Sequence, residues 1–273
     1  PMAIVAMEQD LLVDLRAEDI SVPHAFTTRQ GGVSTGVLES LNLGVHRGDA
    51  PENVLENYRI LGEAVGFSPR QTVFPMQRHT ARIRRVGREN CGEGLWRDVP
   101  EVCDGLITNE PGVALCCFSA DCTPILLYDP EKQAIAAVHA GWRGTAQGIA
   151  AQAVRAMQQA YGCRAEEIRA AIGPCIGQCC FETGPEVPQA MRDALGPAAQ
   201  TAIFPQGEKF HVDLKALNRQ FLLRAGVRVV DVSEDCTMCR PERFWSHRVT
   251  QGARGSLAGI IMLREGGASC EKE

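Results

Sequence analysis

Two histidines and a cysteine of this chain are candidate ligands of one metal ion, and each lies next to an apolar segment. His79 follows a strand-like stretch at residues 72–76, Cys122 lies between two apolar runs, and His139 ends a third run, before a turn with two glycines at residues 140–144. Each residue alone has an ordinary alternative, a hydrogen-bonded core histidine or a buried thiol. Together, two imidazoles and a thiolate suit zinc, with copper as the alternative. Three protein ligands leave one tetrahedral position open, which is typical of a catalytic zinc site.

An arginine beside paired glycines indicates a second site, for an anion. Residues 27–34 read TTRQGGVS, so Arg29 stands next to Gly31 and Gly32. A loop of this kind can expose backbone N–H groups, and the guanidinium fork of arginine suits a phosphate. The alternative is an ordinary turn that carries a surface arginine. The residue types alone leave both interpretations open.

The elements that must position these residues are short strands and amphipathic helices. Apolar runs at residues 113–118, 123–128 and 134–140 have the length and the flanking turns of buried strands. Apolar residues then recur every three or four positions from Ile149 to Ala160, which predicts a helix with Gly162 at its C-terminal cap.

Further helices and strands complete a pattern without a strict βαβ rhythm. A helix is predicted from about Pro51 to Val65 with Asp49 as its cap, and another around residues 214–222. Predicted strands follow at residues 168–172, 227–232 and 257–263. This order favours an α+β fold with mixed sheets. No linker or repeat divides the chain, so a single domain over residues 1–273 is predicted.

Composition and charge exclude several classes of protein. A chain of 273 residues that is 45% hydrophobic and 22% charged can bury a large core, which excludes disorder as the main interpretation. The net charge of −5 argues against a general nucleic-acid binder. No apolar run approaches the ~20 residues that span a bilayer. Residues 1–8 lack the regions of a signal peptide, so a cytoplasmic location is expected.

Twelve cysteines are unusual for a chain with these properties. Because the cytosol keeps thiols reduced, they are not interpreted as six disulfides. They are instead buried small hydrophobes, metal ligands, a nucleophile, or a mixture of these. Cys116 and Cys117, inside a predicted strand, are interpreted as core thiols.

Five segments of the chain resemble the multifunctional purine nucleoside phosphorylase family, also called the YfiH-like, laccase-domain or polyphenol oxidase family. They are residues 27–34 (TTRQGGVS), 41–44 (LNLG), 120–124 (ADCTP), 139–144 (HAGWRG) and the Gly-Pro loop that begins at residue 173. The segments follow the family's order and extend over nearly the whole chain. The pairing of Ala-Asp-Cys-x-Pro with His-Ala-Gly-Trp-Arg-Gly is highly specific for this family.

The resemblance implies a four-layer α/β/β/α fold with mixed sheets, shared with toxin deamidases of the cytotoxic-necrotizing-factor type. By position, His79, Cys122 and His139 correspond to the family's zinc ligands, and Arg29 corresponds to its phosphate-contacting arginine. The implied activities are phosphorolysis of adenosine, inosine, guanosine and methylthioadenosine, and deamination of adenosine. Purine nucleosides and phosphate are then the partners of a monomer or small homo-oligomer, without nucleic acid or membrane.

In the zinc hypothesis, phosphate near Arg29 attacks C1′ of the ribose, and the purine leaving group needs a proton or an electrophile. Deamination uses the ability of zinc to lower the pKa of water to about 7. Asp121, beside Cys122, is either the acid for the leaving group or a residue that orients its neighbours. The sequence leaves this choice open.

The chain departs from the family pattern at three places. Residues 77–80 read QRHT where Gln-Val-His-Gly is commoner, which bears on the access of the His79 ring to the pocket. After Ser246-His247-Arg248, residues 249–251 read VTQ in place of Arg-Asp-Gly, so substrate contacts are not carried over to this loop. Residues 236–239 (CTMC) form a CxxC motif. Together with Cys175, Cys179 and Cys180 this motif could hold a structural zinc, which the family does not need.

Two other activities would use the same residues. Copper-dependent oxidation of phenols has been attributed to members of the family, and a thiolate ligand also suits copper. A multicopper laccase is excluded because it needs several His-x-His pairs, whereas this chain has six histidines and no such pair. The other activity is a metal-free hydrolase in which His139 activates the Cys122 thiolate. His79, as a third converging ligand, argues against the hydrolase.

Overall fold

The structure, a computed structural model, describes residues 4–9 and 12–265 of the chain. The strands of this part are β1 (Ile4–Gln9), β2 (Leu12–Ala17), β3 (His24–Thr27), β4 (Thr72–Val73), β5 (Ile83–Arg85), β6 (Gly105–Thr108), β7 (Ala114–Ser119), β8 (Thr123–Asp129), β9 (Ala134–Ala140), β10 (Arg169–Ile172), β11 (Glu182–Thr183), β12 (Ile203–Gln206), β13 (Lys209–Val212), β14 (Val229–Val232) and β15 (Leu257–Met262). The α-helices are α1 (Pro51–Val65), α2 (Trp142–Ala146), α3 (Ile149–Tyr161), α4 (Glu186–Leu195), α5 (Leu214–Arg224) and α6 (His247–Thr250).

Two six-stranded sheets and one small sheet organise these strands. The first sheet has the order β1-β2-β3-β15-β7-β4, the second β14-β10-β8-β9-β6-β5, and the small sheet β11-β13-β12. Most neighbouring strands are antiparallel, but β4 with β7, β5 with β6 and β10 with β14 are parallel. The mixed sheets confirm the predicted α+β class.

The two large sheets stack on each other and are covered by helices on their outer faces. The core between the sheets includes Leu115, Cys117 and Ile261 of the first sheet and Leu126, Ile135 and Ala137 of the second. Helix α1 covers the outer face of the first sheet with Tyr58 and Leu61. Helices α3 and α5 cover the outer face of the second sheet with Met157 and Leu217. This arrangement confirms the α/β/β/α layers that the resemblance implies.

The structure corrects three local predictions. Asp49 does not cap α1: the N-cap is Ala50, and the Asp49 carboxylate accepts hydrogen bonds from Ser34 Oγ and Asn42 Nδ2 at 2.6 and 2.8 Å. The predicted turn at residues 140–144 is the start of α2, with Gly141 as its N-cap. The strand predicted at residues 72–76 is only two residues long, because Phe74 already leaves the sheet and donates its backbone N–H to the carbonyl of Glu93.

Two other predictions agree with the structure. Gly162 caps α3 in the left-handed conformation, with φ of 67°. Cys116 and Cys117 are fully buried on opposite faces of β7, and burial raises the pKa of Cys117 to about 12. Within residues 4–9 and 12–265, no helix combines the length and the apolar character needed to cross a membrane. Residues 1–3 of the segment assessed as a signal peptide, and Cys270, lie outside the described residues.

Candidate metal centre

Strand pairing brings Cys122 and His139 together. Cys122 immediately precedes β8, and His139 is the penultimate residue of β9. The two strands are antiparallel, with Thr123 opposite Ala140 and Pro124 opposite His139. This register sets the start of β8 beside the end of β9, so the thiol and the imidazole become hydrogen-bonded neighbours. The His139 residue is only 4% exposed.

A buried carboxylate that the sequence analysis missed holds the His139 ring. Asp104 immediately precedes β6, the other neighbour of β9, and its carbonyl accepts a hydrogen bond from the backbone N–H of His139 at 2.7 Å. Its carboxylate accepts from His139 Nδ1 at 2.8 Å. Because a carboxylate accepts, Nδ1 carries the proton, and Nε2 is left for a metal ion. Only the position of Asp104 before an apolar run could have drawn attention to it.

The same carboxylate shapes the loop that presents His79. Asp104 accepts backbone hydrogen bonds from Arg78, His79 and Thr80 at 3.1, 3.0 and 2.8 Å. The Thr80 hydroxyl, which stands where the family commonly has glycine, donates a further bond at 2.7 Å. These bonds support a left-handed backbone at His79, with φ of 59°, which is unusual for a residue other than glycine. The His79 ring packs edge-on against His139, with ring centroids 5.0 Å apart.

The electrostatics of these groups agree with a site built for a cation. Burial lowers the pKa of His139, but the Cys122 thiolate and the Asp104 carboxylate outweigh burial and raise it to about 9. Burial and the neighbouring His139 charge lower the pKa of His79. Burial raises the pKa of Asp104, but hydrogen bonds from His139 and Thr80 outweigh it and lower that pKa to about 2. Negative charge thus concentrates beside His139.

Gly141 leaves the space in which the three side chains converge. A Cβ atom at this position would lie 2.4 Å from His79 Nδ1 and 3.3 Å from Cys122 Sγ. The φ of Gly141 is −69°, so the backbone itself does not require glycine here. The requirement is the absence of a side chain between the ligand atoms.

The structure therefore brings together all three metal ligands predicted from the sequence. One ligand atom from each of His79, Cys122 and His139 lies within 4.8 Å of the other two. Zinc bonds to nitrogen and sulfur are about 2.0–2.3 Å long, so one ion can reach all three atoms. The donor set fits zinc, with copper as the alternative, and leaves a coordination position for another molecule.

Asp121 lies next to Cys122 and is fully engaged by hydrogen bonds. Its carboxylate accepts from Thr237 Oγ1 at 2.6 Å, Ser246 Oγ at 3.0 Å and the backbone N–H of Arg248 at 2.7 Å. Its backbone is left-handed, with φ of 86°. These contacts favour the orienting role of Asp121 over the role of an acid, because the carboxylate holds two loops beside the Cys122 thiol.

A cavity of about 390 Å³ opens beside the three ligands. Its wall combines the aromatic rings of Phe118 and Phe181 with His247 and three arginines, Arg47, Arg248 and Arg254. A neighbouring cavity of about 660 Å³ shares part of this wall, including Arg47 and Phe118. Cavities of this size and mixed lining are typical of small-molecule sites.

Arg47 and Arg254 form a pair of neighbouring cations in this wall. Both donate to the Ser256 hydroxyl, at 3.2 and 3.4 Å, and Nε of Arg254 is buried without a partner. Within the described part of the chain, neither forms an ion pair. Burial and the Arg47 charge lower the pKa of Arg254 to about 10, and the charge of the Asp121 carboxylate offsets them only in part. Two guanidinium groups that form no ion pair are suited to a bound anion. The sequence analysis missed both, since no motif marks them.

The structure places Arg29 away from this cavity lining. Its guanidinium stacks on Trp245, 3.7 Å from the ring centroid, and donates to the Pro241 carbonyl at 2.9 Å. The N–H groups of Gly31 and Gly32 donate to Ser40 Oγ at 2.9 and 3.2 Å. In this structure these N–H groups are therefore bound to Ser40, as in the alternative of an ordinary turn. A phosphate contact by Arg29 itself stays a prediction.

Comparisons with known proteins find relatives that match nearly the whole chain. The model of a family described as multi-copper polyphenol oxidoreductase laccase matches residues 23–264. A protein named purine nucleoside phosphorylase YlmD from Geobacillus stearothermophilus is 39% identical over 248 residues, which cover 88% of this chain and 89% of the relative. A purine nucleoside phosphorylase from Deinococcus radiodurans is 38% identical over 255 residues, covering 92% of this chain and 94% of the relative. The crystal structure of YlmD from G. stearothermophilus superposes with a TM-score of 0.91 at 36% identity, covering 97% of this chain and all of that one.

Proposed function

This chain belongs to the family described as multi-copper polyphenol oxidoreductase laccase, and from that membership we propose that it is a zinc-dependent purine nucleoside phosphorylase. One observation carries the proposal: the His79, Cys122 and His139 ligand atoms converge at the cavity whose wall also contains Arg47 and Arg254. A metal centre and an anion site thus face the same space. The names of the relatives supply the reaction class.

The proposed substrates are phosphate and a purine nucleoside: adenosine, inosine, guanosine or methylthioadenosine. Phe118 and Phe181 offer apolar faces for a purine ring, and the cavity of about 390 Å³ accommodates a ligand of this class. Deamination of adenosine is proposed as a second activity of the same site. Nucleic acid and membrane are not proposed as partners, and the cytoplasm is the proposed compartment.

In the proposed phosphorolysis, residues of the chain bind the phosphate that attacks the nucleoside. Arg47 and Arg254 hold the phosphate dianion, which brings an oxygen nucleophile next to the nucleoside without a diffusional search. The phosphate oxygen forms a bond to C1′ as the bond from C1′ to purine N9 breaks. The products are ribose 1-phosphate and the free base. The hydrogen phosphate dianion gives up its proton as it becomes the ester dianion, which balances the proton that N9 takes.

His79, Cys122 and His139 would hold the metal ion. Bound there, zinc supplies Lewis-acid stabilisation of developing negative charge. By accepting from Nδ1, Asp104 fixes the orientation of the His139 ring and leaves Nε2 as the nitrogen available to the metal. It also fixes the His79 loop through three backbone N–H groups. Asp121 keeps the Cys122 segment in place and is not proposed as the acid.

Product analysis tests the proposal. Zinc-loaded protein is incubated with adenosine and phosphate, and adenine, ribose 1-phosphate and inosine are quantified. We expect ribose 1-phosphate in an amount equal to adenine and hypoxanthine together, since inosine formed by deamination is itself a proposed substrate. Formation of ribose 1-phosphate should depend on phosphate and fall at least 100-fold in Cys122→Ser. Absence of all three products from the wild-type protein would refute the proposal.

A metal-free cysteine hydrolase is the second candidate function. The observation in its favour is that Cys122, His139 and Asp104 are linked in series by hydrogen bonds, which is the arrangement of a nucleophile, a base and an orienting carboxylate. His79 opposes it, because a hydrolase of this type has no use for a third ligand. Modification of Cys122 by iodoacetamide distinguishes the two: zinc protects the thiol if it is a ligand, and equal rates with and without zinc favour the hydrolase.

The alternative metal at this site is copper, with oxidation of phenols as the corresponding activity. Because copper binds such sites more tightly than zinc in general, occupancy after exposure to copper says little. Metal analysis of protein purified without added copper is the discriminating measurement, and zinc is the metal expected.

A further inference from the structure

Four thiols from two loops gather at a second place in the molecule. Cys179 and Cys180 lie between β10 and β11, and Cys236 and Cys239 lie between β14 and α6. The four Sγ atoms all lie within 4.8 Å of one another. Cys239 Sγ is 3.5 Å from Cys179 Sγ and 3.4 Å from Cys180 Sγ. Two segments that are distant in the sequence thus contribute two sulfur atoms each.

The spacing of the sulfur atoms fits a single tetrahedral ion. Zinc–sulfur bonds of about 2.3 Å place the corners of a tetrahedron about 3.8 Å apart. A disulfide requires about 2.0 Å between its sulfur atoms, which none of these contacts approaches. A set of four cysteine sulfurs in this arrangement is the donor set of structural zinc sites.

One backbone N–H group also points at the cluster of thiols. The N–H of Gly177 donates to Cys236 Sγ at 3.1 Å. Several thiolates at this distance repel one another, and a divalent cation among them removes that repulsion.

We propose that Cys179, Cys180, Cys236 and Cys239 bind a second zinc ion in a closed, structural site. Cys175, which the sequence grouped with them, is not a ligand: it is fully buried, and its thiol contacts the Ile176 carbonyl at 3.3 Å. Four protein ligands leave no open position, so this ion binds no substrate.

The second zinc ion links the two loops that support the metal centre. The loop with Cys179 and Cys180 also carries Ile176 and Phe181, which line the cavity. The segment that begins at Cys236 carries Thr237 and Ser246, which hold the Asp121 carboxylate beside Cys122. An isolated β-bridge between Cys175 and Cys236 already connects these loops, and the ion adds a further cross-link between them.

Zinc stoichiometry measured by mass spectrometry of the metal tests this site. Protein is loaded with zinc under reducing conditions and freed of excess. We expect two zinc ions per chain for the wild type, one for Cys239→Ser, one for Cys122→Ser and none for the double variant. Cys91→Ser, which changes a half-buried thiol at neither site, is the matched control and should keep two. One zinc in the wild type that is lost in Cys122→Ser and kept in Cys239→Ser, or two in Cys239→Ser, would overturn the proposal, as would iron at this position.

Cobalt substitution gives a second readout, in which Cys239→His distinguishes a lost ligand from a misfolded variant. Cobalt(II) bound by four thiolates has an intense sulfur-to-metal charge-transfer band and visible bands of tetrahedral shape. We expect this intense band in the wild type and in Cys122→Ser, only the weaker bands of the metal centre with its single thiolate in Cys239→Ser, and a second tetrahedral spectrum in Cys239→His, which restores a ligand. A mass two hydrogens below that of the reduced chain in unreduced wild-type protein, lost in Cys239→Ser, would instead show a disulfide and contradict the zinc site.

Discussion

At the scale of single residues, Asp104 connects more of the metal centre than any ligand does. Its carboxylate accepts from the His139 ring, three consecutive backbone N–H groups and the Thr80 hydroxyl. It is fully buried, so these bonds replace its hydration entirely. The orientation of two ligands therefore depends on one residue that need not touch the metal.

We predict that Asp104→Asn weakens zinc binding at the metal centre by about 10- to 100-fold, which is the usual effect of losing such a supporting carboxylate. The asparagine amide cannot accept from all of these donors, so the His79 loop and the His139 ring lose their fixed positions. Competition titration with a chromophoric chelator measures the affinity. Asp193→Asn, on the exposed side of α4, is the control, and an unchanged affinity in Asp104→Asn would contradict the role assigned to the carboxylate.

A second residue-scale prediction separates two candidates for the phosphate site. Arg254→Gln should raise KM for phosphate by about 10-fold or more, because a charge-assisted contact contributes roughly 1.5–3 kcal/mol. KM for the nucleoside should change less. Arg29→Gln should instead lower the melting temperature, since Arg29 stacks on Trp245 and binds the Pro241 carbonyl. Steady-state kinetics at varied phosphate concentration distinguish the two arginines. A raised KM for phosphate in Arg29→Gln but not in Arg254→Gln would identify Arg29 as the phosphate ligand.

At the scale of elements, three adjacent strands assemble the site. β8 supplies the position of Cys122, β9 that of His139, and β6 that of Asp104, because β9 lies between the other two. The antiparallel register then aligns their ends in one row. His79 comes from outside this sheet and is held in place by the Asp104 carboxylate.

The start of α2 gives an element-scale prediction. Gly141→Ala places a methyl group 2.4 Å from His79 Nδ1, so the exposed His79 ring must move away from the other ligands. We expect zinc affinity to fall at least 10-fold, while the metal-free variant keeps a melting temperature close to that of the metal-free wild type, because the displaced side chain lies at the surface. Calorimetric zinc titration and thermal unfolding measure the two. Unchanged zinc binding would show that His79 is not a ligand.

Many of the strands and helices could be predicted from the sequence, but the side-chain contacts between them could not. Apolar runs identified β7, β8 and β9, and the period of α3 was unmistakable, because their residues are buried on one or both faces. Asp49 was misassigned because its carboxylate binds Ser34 and Asn42 across the fold. The roles of Asp104, Arg47 and Arg254 were invisible for the same reason: they depend on strand order and loop packing, which local patterns do not encode.

At the scale of the whole molecule, two stacked sheets provide a rigid support for a site made mostly of loops. The core between the sheets and the helices on their outer faces keep the ends of β6, β8 and β9 fixed. Segments from near both ends of the described chain, Arg47 and Arg254, meet at the same cavity. A site assembled in this way forms only when the entire fold is in place.

Zinc binding should therefore stabilise the whole fold. With free zinc at 100 times the dissociation constant, a site present only in the folded state adds about 2.7 kcal/mol, or roughly 5–10 °C in melting temperature. Removal of zinc by a chelator should lower the melting temperature of Cys239→Ser, which keeps only the metal centre, by about this amount. The double variant Cys122→Ser/Cys239→Ser should show no such shift, and an equal shift in the double variant would contradict binding at the metal centre.

The central claim, that His79, Cys122 and His139 together bind one zinc ion, is tested most directly by anomalous X-ray diffraction from crystals of the zinc-loaded protein. Data collected on either side of the zinc absorption edge should place an anomalous peak about 2.3 Å from Cys122 Sγ and about 2.1 Å from one nitrogen of each histidine. The peak should be present above the zinc edge and absent below it. A map without a peak between these three side chains, or a peak that persists below the zinc edge as copper would give, would contradict the claim.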